Sequence, residues 1–250
     1  MESVILLLFF IYGLIFGSFF NVVGLRVPKQ QSIAKGRSFC PHCQHQLSWY
    51  ELIPLFSYIW QRGKCRHCQG KIAPIYPIIE LLTGILFTYN YYLFGFHLEL
   101  LTSLLLISML MIIFVADLTY MIIPNKVLIF FLPLFIIVRI LHPLDPWWSS
   151  LLGAGVIFLL LVIIILISKG GMGGGDLKLF ALLGFVLGIK QVLFAFLMSC
   201  LLGAIIGVFL MALGKTKRKQ PMAFGPYIVI ATLFTYYFGD GVIDWYLSIF

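Results

Sequence analysis

The sequence predicts an all-α membrane protein that crosses the bilayer about eight times. Of the 250 residues, 62% are hydrophobic and only 10% are charged, and the mean hydropathy is +1.06. A soluble domain of ordinary composition carries about 25% charged residues. The composition therefore excludes a soluble globular enzyme and predicts a polytopic protein. Its one sizeable polar segment, residues 26–76, forms a loop between the first two helices.

Eight apolar runs approach the roughly 17 to 25 residues that a helix needs to span a bilayer. We predict helices over residues 3–24, 77–95, 99–117, 126–141, 149–168, 176–189, 191–213 and 222–239. The first is expected to be a retained helix, because its first charge is Glu2 and no small-residue cleavage site follows. Its Gly13 and Gly17 have the GxxxG spacing that lets another helix pack closely.

The helix over 176–189 is shorter than the membrane is thick. It would extend roughly 20 Å at about 1.5 Å per residue, whereas the hydrocarbon core measures about 30 Å. Either the preceding helix and the glycine-rich stretch share this crossing, or Asp176 lies inside the membrane plane.

The basic residues predict the orientation, because cytoplasmic loops of membrane proteins carry an excess of Lys and Arg. With the 26–76 loop in the cytoplasm and eight alternating spans, 15 of the 17 basic residues lie inside, and only Arg139 and Lys190 lie near the outer side. Both chain ends then lie outside, and Asp117 and Asp176 lie at cytoplasmic helix ends. The net charge of +8 follows from this topology, so it does not call for a nucleic acid.

Two CxxC motifs stand in the 26–76 loop and predict a metal site. Cys40-Pro-His-Cys43 and Cys65-Arg-His-Cys68 are separated by 21 residues, close to the spacing of four-thiolate zinc ribbons. Disulfides are the alternative, but a cytoplasmic loop is in a reducing compartment. Since a loop of this size has little core of its own, the zinc would be structural.

Two acids in apolar surroundings are the candidate catalytic residues. Asp176 ends the glycine-rich stretch 170–175, and Asp117 closes the third apolar run. Two carboxylates about 3 Å apart that share one proton form the catalytic unit of an aspartyl peptidase. Intramembrane acids also serve proton or ion pathways, so a coupled transporter is the alternative. No HExxH, GxSG or P-loop motif is present to support another chemistry.

Other residues near the same membrane face are candidates to line this site, each with a plainer alternative. Asn21 is either a site residue or an interhelical hydrogen bonder, and Glu80 either lines the site or reaches out to water or to a basic loop residue. Lys178 either tunes the acid pair, contacts a substrate carboxylate, or lies at the membrane rim. The full set of site-lining candidates is Gly173, Gly175, Lys178, Glu80, Asn21, Phe224, Gly225 and Pro226.

Several motifs in the same order give the chain a family resemblance. They are Gly173-Gly174-Gly175-Asp176 for GxGD, Asp117 followed by Ile123-Pro124-Asn125, Gly17-Ser18-Phe19-Phe20-Asn21-Val22, the paired CxxC motifs, Tyr76-Pro77 followed by Glu80, and Phe224-Gly225-Pro226. Together they resemble the bifunctional type IV prepilin peptidases over nearly the whole length. Asn125 stands where many members have a second acid, and Ala223 stands where proline often precedes Phe-Gly-Pro.

The resemblance implies two activities at the bacterial cytoplasmic membrane. It implies removal of the basic leader of type IV prepilins or pseudopilins by the dyad Asp117 and Asp176, then N-methylation of the new N-terminal residue with S-adenosylmethionine. It implies three parts: a first transmembrane helix over 1–25, a four-cysteine loop over 26–76 tied to methylation, and a seven-helix peptidase domain over 77–250. The compact chain also resembles the members of Gram-positive bacteria that process competence pseudopilins.

Overall fold

The computed structural model describes residues 2–34, 36–168, 171–214 and 222–248. Lys35, Lys169, Gly170 and the basic run 215–219, which contribute to the sequence predictions, lie outside the described residues. The chain folds as two compact units, Met1–Val115 and Ala116–Phe250. The division lies within a helix and coincides with none of the boundaries drawn from the sequence.

Helices account for nearly all regular structure in the described part of the chain. They are α1 Glu2–Arg26, α2 Phe56–Trp60, α3 Ile75–Phe94, α4 Leu98–Tyr120, α5 Asn125–Leu141, α6 Ser149–Ile167, α7 Gly174–Leu187, α8 Ile189–Ala212 and α9 Gly225–Leu247, with a 3-10 helix over Trp49–Leu52. Five of them, α1, α4, α6, α8 and α9, are long and apolar enough to cross a membrane. The all-α polytopic membrane class is confirmed, whereas the number of eight crossings stays a prediction.

Two predicted helix boundaries are wrong in ways that matter for the candidate site. α4 continues to Tyr120, so Asp117 lies one turn inside the helix rather than at its end. Residues 118–120 continue the helix, and Met121 at φ 52° leads out of it. α9 begins at Gly225 rather than at residue 222, with Pro226 in its first turn, where a missing N–H costs no hydrogen bond.

In the unit Met1–Val115, α1 lies backbone to backbone against α3. A Cβ atom on Gly13 would lie 2.6 Å from the Cα of Gly84, and one on Gly17 would lie 2.8 Å from the Cα of Glu80. Since real side chains do not approach this closely, only glycine permits the contact. The close packing predicted from the GxxxG spacing is confirmed, and it brings the start of α3 to the last turns of α1.

In the unit Ala116–Phe250, α7 packs against α6 through a close contact of two glycines and is hydrogen-bonded to α5 by an arginine. Gly153 of α6 and Gly184 of α7 approach so closely that a Cβ on Gly153 would lie 2.5 Å from the carbonyl oxygen of Gly184. Arg139 of α5 is buried and donates from Nε and Nη2 to the carbonyl oxygen of Val186, at 3.0 and 2.6 Å. A cation at the last turn of a helix satisfies free carbonyls and complements the helix dipole.

Gly153→Ala is expected to destabilise the protein, and Gly155→Ala is the matched control in the same helix. The new methyl group at position 153 would force α6 and α7 apart, a kind of overpacking that costs about 1–3 kcal/mol. A Cβ at Gly155 meets no atom within 4 Å, and alanine favours helix by up to about 1 kcal/mol. Thermal unfolding in detergent should show a lower midpoint for the first variant only. Equal midpoints for the two would contradict the close contact.

Candidate active site and metal centre

The unit Ala116–Phe250 contains a cavity of about 860 Å³ that both candidate catalytic acids line. One wall is the glycine-rich stretch over 171–175, and the rest is largely apolar. The apolar lining includes Met121, Ile122, Ile123, Ile164, Phe196, Met222 and Phe224. Two carboxylates therefore face a mostly apolar space that is large enough for part of an extended peptide.

Asp117 is fixed by the start of α9. Its side chain is 5% exposed, and its Oδ2 accepts a hydrogen bond of 2.7 Å from the backbone N–H of Gly225. Because the first N–H groups of a helix have no partner within it, a carboxylate satisfies one of them and interacts favourably with the helix dipole. Glycine is required here, since a Cβ at position 225 would lie 2.6 Å from Oδ2 of Asp117.

Asp176 is fixed in the same manner by the start of its own helix. It is the third residue of α7, half-buried, and its Oδ2 accepts a bond of 3.2 Å from the N–H of Gly173, as in one half of a capping box. Asp117 lies close enough to interact with it electrostatically. Each carboxylate is thus oriented through Oδ2 by a helix N-terminus, and within the described residues Oδ1 of each has no hydrogen-bond partner.

Of the remaining candidate residues, some line this cavity and others are buried next to it. Gly173, Gly175, Lys178 and Phe224 line it, whereas Gly225 and Pro226 are buried at the start of α9. A Cβ on Gly175 would lie 3.0 Å from the Cβ of Ile123, so this glycine allows the close approach of the segment after α4. Nζ of Lys178 donates a bond of 3.1 Å to Oδ1 of Asn125 at the exposed rim. The lysine thus contacts an amide rather than either acid.

Gly225→Ala is expected to reduce leader cleavage by about 10² or more, because displacing a catalytic group by about 1 Å costs roughly that factor. The added methyl group would overlap Oδ2 of Asp117. Gly241→Ala in the same helix is the control, since a Cβ there meets no atom within 4 Å. Cleavage of a prepilin in isolated membranes measures both variants. A Gly225→Ala enzyme as active as the control would show that Gly225 does not position Asp117.

Asn21 and Glu80 line a different cavity, of about 280 Å³, in the unit Met1–Val115. Asn21, in α1, donates from Nδ2 to the carbonyl oxygen of Tyr76 at 3.2 Å, and Oε2 of Glu80 accepts from the N–H of Leu55 at 2.8 Å. The structure therefore groups these two residues with the loop and the start of α3. Glu51 lines the same cavity and was missed from the sequence. Its only sequence signal, Ser48 three residues before it, indicates a turn rather than a site.

The four loop cysteines form one cluster whose geometry fits a metal ion. Their Sγ atoms all lie within 4.8 Å of one another, with Cys40 and Cys68 at 3.8 Å and Cys43 and Cys65 at 4.0 Å. These separations are too long for a disulfide of about 2.05 Å. They match the edge of about 3.8 Å that a tetrahedron with metal–sulfur bonds of about 2.3 Å requires.

The two knuckles around the cluster have the same backbone turn. In the first knuckle, the N–H of Cys40 donates to the carbonyl oxygen of His45, and the carbonyl oxygen of Cys40 accepts from the N–H of Gln44. In the second, the N–H of Cys65 donates to the carbonyl oxygen of Gly70, and the carbonyl oxygen of Cys65 accepts from the N–H of Gln69. Hydrogen bonds from the backbone at Cys43 and His42 lower the pKa of the Cys40 thiol to about 6. A backbone hydrogen bond at His45 lowers the pKa of the Cys43 thiol, but burial and the neighbouring thiols outweigh it and raise that pKa to about 11. The fit to a metal therefore rests on the geometry of the four Sγ atoms.

The loop histidines do not complete the cluster. Nε2 of His42 bonds to the carbonyl oxygen of Lys71 at 3.2 Å, and the rings of His45 and His67 stack with centroids 3.5 Å apart. Among the described residues, only the four cysteines form a group with metal-ligand spacing. A site closed by four thiolates has no free coordination position, which is typical of a structural rather than a catalytic metal.

Comparison with known proteins identifies the family. A profile described as the bacterial peptidase A24 N-terminal domain matches residues 11–94, and one described as the type IV leader peptidase family matches residues 104–208. A protein of Bacillus subtilis (strain 168) is 44% identical over 96% of both chains. The chain belongs to the type IV leader peptidase family. The resemblance inferred from the motifs is thereby confirmed.

The Bacillus subtilis protein and further members of the family are named prepilin leader peptidase/N-methyltransferase. A protein of Aeromonas salmonicida (strain A449) is 32% identical over 96% of this chain and 93% of its own. One of Myxococcus xanthus (strain DK1622) is 37% identical over 85% of this chain and 64% of its own. No solved structure matches the chain significantly. The comparisons give no support to the transporter alternative.

Proposed function

We propose that the protein is a membrane aspartyl endopeptidase that removes the leader of type IV prepilins or pseudopilins and then N-methylates the new N-terminus. The observation that carries the peptidase is the placement of Asp117 and Asp176 on one cavity, each oriented by the first N–H groups of a helix. The printed names of full-length relatives supply the substrate class and the second activity. The competence-pseudopilin subtype stays a narrower prediction.

The two carboxylates provide the groups that hydrolysis of a peptide bond requires. With one proton shared between them, the ionised carboxylate takes a proton from water while the protonated one donates a hydrogen bond to the scissile carbonyl. The hydroxide adds to the carbonyl carbon. The C–N bond then breaks, and the departing nitrogen takes up a proton. Helix N-termini behind both acids hold them in place, so the geometry does not depend on substrate.

The cavity walls suit a peptide with apolar residues near the cleaved bond. Met121, Ile122, Phe196 and Met222 supply apolar surface beside the acids. Gly174 leaves room for a backbone to approach, since a Cβ there would meet no atom within 4 Å. Lys178, engaged by Asn125 at the rim, supplies a positive charge at the cavity mouth. These residues bind and orient the substrate while the two acids carry out the chemistry.

A zinc ion that cross-links the loop would be held by the four thiolates of Cys40, Cys43, Cys65 and Cys68. Such an ion stabilises a segment that has little core of its own, and S-adenosylmethionine would supply the methyl group.

We assign methyl transfer to the loop 26–76 and the helix ends that flank it, and peptide cleavage to the helical part 77–250. The excess of Lys and Arg supports an orientation with the loop and both acids on the cytoplasmic side and, if the helices cross eight times, both termini outside. A reporter fused to the C-terminus that is active only in the cytoplasm would contradict this orientation.

Mass spectrometry of a prepilin incubated with the full chain in membranes tests the proposal. We expect loss of the leader without added cofactor, and addition of one methyl group to the new N-terminal amine only when S-adenosylmethionine is present. An intact prepilin after prolonged incubation would contradict the peptidase. A cleaved but unmethylated product in the presence of the methyl donor would contradict the transferase alone.

A further inference from the structure

The cavity of about 280 Å³ in the unit Met1–Val115 is built from the last turns of α1, the first turns of α3 and the four-cysteine loop. Its volume lies just below the range of about 300–1,000 Å³ for small-ligand pockets. Its lining is mostly apolar, with Phe39, Leu47, Leu52, Ile72 and Pro77 among the contributors. The polar side chains of this lining include the carboxylates of Glu51 and Glu80 and the amides of Asn21 and Gln61.

Two buried oxygen atoms of this cavity have no hydrogen-bond donor among the described residues. Asn21 is 3% exposed, Glu51 7% and Glu80 8%. Oδ1 of Asn21 and Oε1 of Glu51 are buried and, in the described structure, have no partner. Their neighbouring atoms are fixed, because Oε2 of Glu51 accepts from the N–H of Ser48 at 2.9 Å and Nδ2 of Asn21 donates to Tyr76. Buried acceptors without donors cost free energy, so a ligand that brings donors or positive charge would be stabilised here.

The two carboxylates of the cavity outnumber the one arginine that lines it, and neither is paired with that arginine. Arg26 lines the cavity, but its guanidinium donates to the carbonyl oxygens of Ser32, Ile33, Gly36 and Arg37. In the ranges that the structure covers, neither Glu51 nor Glu80 forms an ion pair; Glu80 instead accepts from Leu55. Two buried carboxylates without a cation favour a ligand that carries positive charge.

We propose that this cavity is the methyl-transfer site, where Glu51, Glu80 and Asn21 bind a sulfonium methyl donor together with the primary amine that receives the methyl group. This inference rests on the proposed function for the occurrence of methyl transfer and adds the place and the residues. Both ligands are cations on arrival, and both carry donors for the unpartnered oxygens. The aromatic rings of Tyr58 and Tyr76 line the same space, and aromatic faces attract cations.

The reaction needs one proton acceptor, and Glu51 is placed for that role. The substrate ammonium gives a proton to the free Oε1 of Glu51 and becomes a neutral amine. The nitrogen lone pair then attacks the methyl carbon, an N–C bond forms, and the S–C bond breaks with its electron pair passing to sulfur. The products are a secondary ammonium and a neutral thioether. Since the thioether has lost its positive charge, its attraction to Glu80 weakens and it leaves.

The metal cluster forms part of this site without taking part in the reaction. Cys40 and Cys65 line the cavity, as do residues on either side of the first knuckle. The metal would therefore fix one wall of the pocket. This placement explains how a closed four-thiolate site is linked to methylation.

The test uses the full chain in detergent, with Glu51→Gln, Glu80→Gln and, as control, Glu2→Gln at an exposed acid of the same unit. Methylation of a synthetic, already cleaved pilin N-terminus should fall about 100-fold or more in Glu51→Gln, mainly in kcat, as expected for loss of a general base. Glu80→Gln should weaken equilibrium binding of S-adenosylmethionine at least about tenfold, as expected for loss of a buried charge partner. Leader cleavage by both variants should match the control.

Ultraviolet cross-linking of labelled S-adenosylmethionine to the unaltered protein gives a second test that does not depend on how the variants fold. The label should map to peptides within residues 18–80. Labelling confined to Ala116–Phe250, or normal methylation by both glutamine variants, would overturn the inference while leaving the peptidase and transferase activities established. If the unaltered enzyme cleaves but methylates nothing, the transferase proposal and this inference both fail.

Discussion

Asp176→Asn is expected to abolish leader cleavage while leaving the protein folded. Asparagine keeps the shape and can still accept from the N–H of Gly173, but it can neither take a proton from water nor share one with Asp117. Removal of one member of a catalytic unit typically lowers the rate by about 10⁴ or more. The measurement is the fraction of prepilin cleaved over time in membranes, compared at equal enzyme levels.

The methyltransferase activity of the same variant separates chemistry from folding. Asp176 lies in the unit Ala116–Phe250, whereas the proposed transferase residues lie in Met1–Val115. Methylation of an already cleaved substrate should therefore stay near the level of the unaltered enzyme. Cleavage by Asp176→Asn at more than a few per cent of the normal rate would show that a different residue carries out the hydrolysis.

Cys40→Ser and Cys65→Ser are expected to eliminate the bound metal and nearly all methylation. The two sulfurs are buried members of the cluster, and a structural zinc site contributes on the order of 10–16 kcal/mol to the folding of its domain. Without it the loop loses its main cross-link and the adjoining cavity loses a wall. Metal content by elemental analysis and transfer of labelled methyl groups measure the two effects.

The fifth cysteine supplies the control for the metal measurement. Cys200 lies in α8, outside the cluster, so Cys200→Ser should retain a full equivalent of metal. Treatment of the unaltered enzyme with a strong chelator should reproduce the loss of methylation while cleavage declines less. Full metal content and methylation in Cys40→Ser and Cys65→Ser would refute a structural metal in the loop.

The sequence predicts those features that depend on composition and local spacing. Helix positions follow from apolar runs, and the four-cysteine cluster follows from two CxxC motifs, because both patterns encode local geometry. The close contact of α1 with α3 follows from the spacing of Gly13 and Gly17. Asp117 and Asp176 both line one cavity, whereas their role as a catalytic pair stays a prediction.

Features that depend on contacts between distant residues could not be predicted. The bond from Gly225 to Asp117 joins positions 108 residues apart, and no local pattern encodes it. The sequence analysis predicts that α4 ends at residue 117, whereas the helix continues to Tyr120. An acid within an apolar run does not by itself indicate whether the helix ends there. Glu51 was overlooked because its loop carries no periodic pattern. Its significance depends on the cavity it shares with Asn21 and Glu80.

Comparison of Asp117→Asn, Asp176→Asn and the double variant tests most directly whether the two acids act as one unit. Members of a catalytic unit are strongly non-additive, so removal of both costs little more than removal of either one. We predict that all three variants cleave prepilin at the same residual rate, at least about 10⁴ below the unaltered enzyme. Substantial cleavage by either single variant, with a multiplicative loss in the double variant, would contradict a shared catalytic dyad.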